Sequence, residues 1–261
     1  MRLIDSHAHL QVEAFEHDRA SVLAAARGAG VERVLLPGYD VESSRAALEM
    51  SISLRVDASA GIHPHVATRA SDADWAAIET LVSDPRVVAV GETGLDYDRG
   101  FSPRDVQLAN LERHLVLGGR VGKPVILHCR SKPGKRDAQD DLLRAIEDVG
   151  RPAAVLHSFS GPVDYAERAL EMGLAISFSG LVFRSGEEAS ADVARSVPSD
   201  RLLVETDSPY LSPPGASRRR NEPRWVELTA NWLAEQRQIS PEALGERLVS
   251  NYDAIFSRPR A

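Results

Sequence analysis

A single cysteine, Cys129, stands in 261 residues. One thiol cannot make a disulfide framework or a zinc site built on cysteines, and its isolation predicts a reducing, cytoplasmic setting. No run of about 18 apolar residues occurs, which excludes a helical membrane span. The opening residues, Met1-Arg2-Leu3-Ile4-Asp5-Ser6-His7, turn polar at once and do not read as a secretory leader. Positive charge is not in excess either. Lys and Arg total 31 against 38 Asp and Glu, a net charge of -7. That disfavours a basic nucleic-acid coat protein and leaves room for an enzyme with a local basic cleft, where bound cations would change the local sign. No Gly-x-Gly-x-x-Gly follows a strand, which weakens a dinucleotide-binding reading. No Pro/Gly/Ser tract divides the chain, so residues 1–261 are expected to form one domain.

Hydrophobic residues make up 43% of the chain, and they fall in a rhythm. Near-continuous apolar runs occur at Leu3 to Ile4, Arg33 to Leu36, Asp57 to Ile62, Val87 to Val90, Pro124 to Leu127, Ala153 to Leu156, Leu174 to Phe178 and Leu202 to Val204. Such runs suit parallel strands covered on both faces. Helical spacing lies between them, at Ala14 to Gly30, Ser43 to Ser53, Asp72 to Ser83, Pro103 to Gly118, Asp137 to Val149 and Val163 to Met172. The strand starts are roughly 30 residues apart, about one βα unit each. Eight units in a chain of this length predict a single-domain α/β protein, a (β/α)8 TIM barrel; an open doubly wound sheet is the alternative. Glu222 to Phe256 reads as closing helices, and Ser257 to Ala261 as a frayed end.

The histidines follow the same rhythm. His7, His9, His63, His65, His128 and His157 stand at the predicted C-terminal ends of strands, while His17 and His114 fall in helical stretches. Glu92 and Asp207 stand at matching places after the fourth and eighth strands. A barrel brings all its strand C-termini to one mouth. Imidazoles and carboxylates gathered there predict a metal site. Parity agrees: Asp5, His7 and His9 share one face of an extended strand, as do Glu205 and Asp207. A carboxylate such as Glu92 can bridge two cations, and two ions roughly 3.5–4 Å apart can clamp the attacking and leaving oxygens of a displacement.

The stretches Ile4-Asp5-Ser6-His7-Ala8-His9-Leu10, Gly61-Ile62-His63-Pro64, Gly91-Glu92-Thr93-Gly94-Leu95-Asp96-Tyr97, Pro124-Val125-Ile126-Leu127-His128-Cys129-Arg130, His157-Ser158-Phe159-Ser160-Gly161, Ile176-Ser177-Phe178-Ser179-Gly180, Val204-Glu205-Thr206-Asp207-Ser208-Pro209-Tyr210-Leu211 and Arg220-Asn221-Glu222-Pro223 occur in order along the chain. Together they resemble the TatD family of metal-dependent deoxyribonucleases, within the amidohydrolase-like barrels. The resemblance implies that His7, His9 and Asp207 hold one metal with Glu92, and that Glu92, His128 and His157 hold a second. His63 and Arg130 would face the substrate phosphate, since a guanidinium fits phosphate oxygens in a bidentate way. It implies phosphodiester hydrolysis with Glu92 and Asp207 as catalytic residues, Asp207 taking the proton of the attacking water, and Asp5 and Glu205 orienting the ligands. The implied cofactors are two divalent ions, with zinc, manganese, magnesium and nickel as candidates. The implied substrate is DNA, extending to RNA, cut exonucleolytically, by a monomeric cytoplasmic enzyme with no membrane partner.

Two features depart from the family pattern. Ser131-Lys132-Pro133-Gly134-Lys135-Arg136 stands between Arg130 and Asp137-Ala138 as a loop inserted at the mouth, and it brings three cations. His114 occupies a position where the family often has Gln. Acidic balance and few aromatics favour recognition of one or a few nucleotides over a long duplex footprint, with Tyr97 and Phe159 as candidate stacking rings. Arg218, Arg219 and Arg220 are either a solvated charge run or phosphate contacts. Asn221 reads as a helix N-cap before Pro223, with Glu222 reaching the mouth as the alternative. Cys129 and the three tryptophans are expected to pack. Two rival readings are a hydrolase of a small ester, lactone, amide or phosphoester on the same barrel, and a non-catalytic metal-bound scaffold.

Overall fold

A computed structural model describes residues 1–217 and 219–256. Arg218 and the segment Ser257 to Ala261 lie outside the described residues, and with them the readings placed there. The strands are β1 (Leu3–Asp5), β2 (Val31–Leu36), β3 (Asp57–Ala60), β4 (Val87–Asp96), β5 (Val125–Arg130), β6 (Ala154–Leu156), β7 (Ala175–Phe178) and β8 (Leu202–Val204). They follow one another in a single sheet in sequence order. The α-helices are α1 (Arg19–Gly28), α2 (Val41–Ser53), α3 (Asp72–Val82), α4 (Arg104–Val121), α5 (Asp137–Asp148), α6 (Val163–Glu171), α7 (Ala189–Ser196), α8 (Val226–Arg237) and α9 (Pro241–Ile255). The fold is the expected (β/α)8 barrel.

By internal contacts the chain divides into two compact sets of segments. The first holds β1, α1 and β2, then α6, and the chain from β7 to α9. Here β1 pairs with β2 and β7 with β8, all parallel. β8 also returns to the first strand: the Ser6 amide donates to Val204 O at 3.0 Å, and Ala8 forms a parallel bridge to Ser208. The core of this half is aliphatic, with Leu3, Ile4, Leu35, Ile176, Leu203 and Leu248 wholly or almost wholly buried beside Tyr252 and Phe178.

The second set runs from α2 to β6. β3, β4, β5 and β6 pair in parallel succession. Every residue of Val87-Val88-Ala89-Val90 is buried, as both-faces-covered strands require. Gly94, at φ +133°, lies so close to His128 O that a Cβ there would collide with the backbone of β5. That close approach is the reason for glycine between the two functional strand ends. Asp40 and Ser71 open α2 and α3 with reciprocal capping boxes, each worth about 1 kcal/mol.

All eight predicted strands are present, and β4 and β5 run on past their apolar parts to Asp96 and Arg130. The expected helix over Ala14 to Gly30 begins only at Arg19, because Glu13–Phe15 forms a single 3-10 turn. His17 consequently lies in a turn. Helix α7 was not predicted. Its sequence, Ala-Ser-Ala-Asp-Val-Ala-Arg-Ser, spans only eight residues and buries Ser190, Val193 and Ala194, with no large apolar side chain to mark it.

Candidate active site

In the first half, the loops that leave β1 and β8 carry three convergent donors. His9 Nε2 lies 3.2 Å from His7 Nε2 and 3.3 Å from Asp207 Oδ1, and His7 Nε2 lies 3.8 Å from the same oxygen. Donor atoms of all three lie within 4.8 Å of one another. Two imidazole nitrogens and a carboxylate aimed at one point form a set that fits a borderline divalent cation. Burial works against ionisation of Asp207, but the hydrogen bond from His9 and the charges of His7, His9 and His157 outweigh it and hold its pKa below the usual carboxylate value.

Asp207 occupies the left-handed region at φ 55°, a conformation that costs a non-glycine residue about 1–2 kcal/mol. Hydrogen bonds on every side enforce it. The Asp207 amide donates to His7 O at 2.9 Å, and the Tyr210 amide donates to Asp207 O at 2.9 Å. The wholly buried Asn221 donates its Nδ2 to Thr206 O at 2.9 Å and Tyr210 O at 2.7 Å. Asn221 therefore ties down the loop that carries Asp207, and it caps no helix. Asp5 braces the same junction. Its carboxylate accepts from the Thr206 amide (2.9 Å), the Thr206 hydroxyl (2.6 Å) and the His7 amide (3.3 Å). Burial pushes the Asp5 pKa up to about 8 despite these bonds. These bonds steady the backbone on either side of His7 and Asp207. Glu205 acts on a ring directly: its Oε1 lies 3.1 Å from His157 Nδ1, and the His157 ring stacks on His7 at 4.0 Å. His7, His157 and Glu205 also bring donor atoms within 4.8 Å of one another.

The second half gathers His63, His65, Glu92, Asp96 and His128 at the ends of β3, β4 and β5. Glu92 Oε1 lies 3.1 Å from His63 Nε2 and 3.4 Å from His128 Nδ1. Asp96 Oδ2 lies 2.7 Å from His65 Nε2 and 3.4 Å from His128 Nε2. His128 thus stands between two carboxylates. His63 Nδ1 accepts the His65 amide at 3.1 Å, so the neutral ring carries its proton on Nε2 and donates to Glu92. Burial lowers the His63 pKa to about 4, against the pull of Glu92. Burial also opposes ionisation of Asp96, but hydrogen bonds from His128, His65 and the Arg99 amide hold its carboxyl far below the usual range.

Helix α4 fixes this group from behind. Gln107 accepts the Asp96 amide at 2.7 Å and donates to Asp96 O at 3.1 Å. Asn110 Nδ2 donates to Ile62 O and Thr93 Oγ1. His114 accepts the Ile62 amide on Nε2 at 3.0 Å and donates from Nδ1 to Asn110 O at 2.7 Å. These three residues, at i, i+3 and i+7 on one helix face, hold Asp96 and the immediate neighbours of His63 and Glu92. Asp96 was not singled out from the sequence. It shares a strand face with Glu92 by the same parity that united Asp5, His7 and His9.

Arg130 ends β5 half exposed, its Nε 2.9 Å from Asp98 Oδ2. The inserted segment forms a turn, closed at its base by the Ser131 hydroxyl, which accepts the Ala138 amide at 2.9 Å. Other expectations are corrected. Tyr97 and Phe159 are only 3% and 2% exposed, one bonded to Asp141 and the other stacked on Tyr165, so neither presents a face to a base. Arg220 is bound by Asp18 and Glu222 and lies over the Phe15 ring, so it is not a solvated charge. Cys129 is half-buried. Trp75 is buried, while Trp225 and Trp232 are only half-buried. The exposed rings are instead Phe101, edge-on to His65, and Tyr210, edge-on to His9. A surface groove of about 660 Å3 between α2 and α3 holds none of the convergent donors.

Residues 4–257 match the family described as TatD related DNase. A protein of Musicola paradisiaca named 3′-5′ ssDNA/RNA exonuclease TatD is 37% identical over 263 residues, covering 97% of each chain. YabD of Bacillus subtilis, described as an uncharacterized metal-dependent hydrolase, is 32% identical over 257 residues, covering 97% of this chain and 98% of its own. The crystal structure of YJJV, a TatD homologue from Escherichia coli, superposes with a TM-score of 0.89 at 28% identity, over 99% of both chains. By its residues, its fold and these likenesses, the chain belongs to the TatD family of metal-dependent DNases.

Proposed function

We propose that this protein is a divalent-metal-dependent phosphodiesterase that shortens single-stranded DNA and RNA from one end. The observation that carries the reading is the convergence of His7, His9 and Asp207 on one point, in a chain whose relatives include named single-strand exonucleases. In this reading His7, His9 and Asp207 would hold one ion with Glu92, and Glu92, His128 and His157 would hold a second, with zinc, manganese, magnesium or nickel as candidates. Such ions, when bound, lower the pKa of an attacking water and neutralise charge on the phosphoryl oxygens.

The chain's own groups do the rest. Asp207, kept ionised by its histidines, accepts the proton of the attacking water. Glu205 fixes the tautomer and direction of His157 through Nδ1. Arg130 exchanges Asp98 for the substrate phosphate, where two parallel N–H donors match two oxygens. His63, already carrying its proton on Nε2, supplies a neutral donor beside Glu92. In this reading the enzyme is a cytoplasmic monomer. Among the described residues no helix is long and apolar enough to cross a membrane.

Metal analysis after dialysis against manganese or zinc, set beside a substrate panel, tests this reading. Wild-type protein should hold two equivalents, and Glu92→Ala should lose at least one. Oligonucleotides should be consumed, while p-nitrophenyl acetate and simple lactones should not. Full occupancy of both sites in Glu92→Ala would overturn the ligand assignment. Turnover of the esters alone would overturn the substrate class.

A further inference from the structure

Phe101 is 66% exposed, and the chemistry proposed above makes no use of it. Burying a phenylalanine ring is worth about 2–3 kcal/mol, so a ring left in water on a stiff loop asks for an explanation. The loop is stiff on both sides. Asp96 Oδ1 accepts the amides of Asp98 and Arg99 at 3.1 and 2.8 Å. Past the ring, Gln107 donates to Ser102 O at 2.8 Å, and the buried Ser102 hydroxyl accepts the Thr68 amide at 3.2 Å. The position of Phe101 is therefore set by its backbone.

That position is beside the candidate active site. The Phe101 ring meets His65 edge-on, with centroids 4.8 Å apart and planes at 85°. His65 in turn stands 4.3 Å from His63. A single T-shaped contact on a ring this exposed leaves at least one of its faces to solvent. The adjoining strand end brings cations: Arg130 is the register partner of Asp96, and the exposed Lys132, Lys135 and Arg136 follow it. A lone flat ring is too small for a protein interface. A flat apolar face with cations alongside matches the two parts of a nucleotide.

We propose that Phe101 is a stacking platform for a nucleobase of the substrate strand, whose phosphate is drawn toward Arg130 and the basic loop. This rests on the nuclease reading and adds to it the binding of an unpaired base. Stacking accepts any base, so the platform would select unpaired over paired ends without selecting sequence.

The test uses the full chain with Phe101→Ala and Phe101→Trp, whose melting temperatures should match wild type because the side chain is exposed. Two single strands are compared, identical except that the terminal nucleotide carries 2-aminopurine or is an abasic tetrahydrofuran. Binding in calcium should quench 2-aminopurine fluorescence in wild type and Phe101→Trp, but not in Phe101→Ala. With manganese, Phe101→Ala should lose roughly tenfold in kcat/KM on the base-bearing strand and stay within about twofold on the abasic one. Equal losses on both strands, or no loss on either, would overturn the proposal. Should wild type cleave neither strand, the nuclease reading fails; a quench that depends on Phe101 would then still support the platform, and no quench would overturn it.

Discussion

Glu205 makes the clearest case at the scale of single residues. It is fully buried, and its carboxylate meets the Nδ1 edge of His157 at 3.1 Å. A ligand imidazole held in this way presents its other nitrogen in one direction and as a stronger base. Glu205→Gln keeps the shape and the acceptor oxygen while removing the charge. Equilibrium dialysis should then show metal affinity lowered by about tenfold or more, with the melting temperature of the metal-free protein little changed. Unchanged affinity would mean that Glu205 serves packing alone. The sequence reveals most of this layer, because ligand types stand at strand ends with matching parity. It hides which way side chains turn once the strands stop. Asp207 and Ser158 both enter the left-handed region, at φ 55° and 45°, and alternation no longer applies there. Phe159 turns inward directly after Ser158, while Arg220 is claimed by Asp18, a partner 202 residues away in the chain.

Two elements carry predictions of their own. Helix α4 braces the ends of β3 and β4 through Gln107, Asn110 and His114. His114 is fully buried and neutral, with its pKa lowered by burial from 6.5 to about 4. Its Nε2 accepts the Ile62 amide, so a proton added there would set two donors against each other. Below pH 6.5 the unfolded chain takes up this proton and the folded chain does not. Stability therefore falls as pH drops from 6.5 toward 4, by up to about 3 kcal/mol from this group. Urea unfolding of His114→Gln across that range should give a flatter profile than wild type; parallel profiles would show that His114 does not carry the effect. The second element is the inserted loop. Replacing Lys132, Lys135 and Arg136 together with alanine should raise KM for single-stranded DNA, leave kcat close to wild type, and reduce the salt dependence of binding by up to about 2 in log–log slope. An unchanged slope would place the phosphates elsewhere. The loop's existence is plain in the sequence. The helix brace is not, because Gln, Asn and His on a helix read as surface polarity until their backbone partners are known.

For the molecule as a whole, the fold is the most legible feature. Parallel strands covered on both faces need continuous apolar runs, and eight such runs at βα spacing leave few architectures. What the sequence cannot supply is the direction in which each strand end delivers its ligands; glycines such as Gly94, with its close approach to His128, settle that. The central claim is that this barrel hydrolyses phosphodiester bonds with Asp207 at the reacting end. Time-resolved gels of end-labelled single- and double-stranded DNA and RNA test it most directly. The protein is first stripped with EDTA and then resupplied with manganese, magnesium or zinc, beside an Asp207→Ala control of unchanged fold. The account predicts a ladder shortening from one end of single strands, absent without metal and slowed by at least about a thousandfold in the variant. Strands that stay intact under every metal, or an Asp207→Ala protein that cuts as fast as wild type, would contradict it.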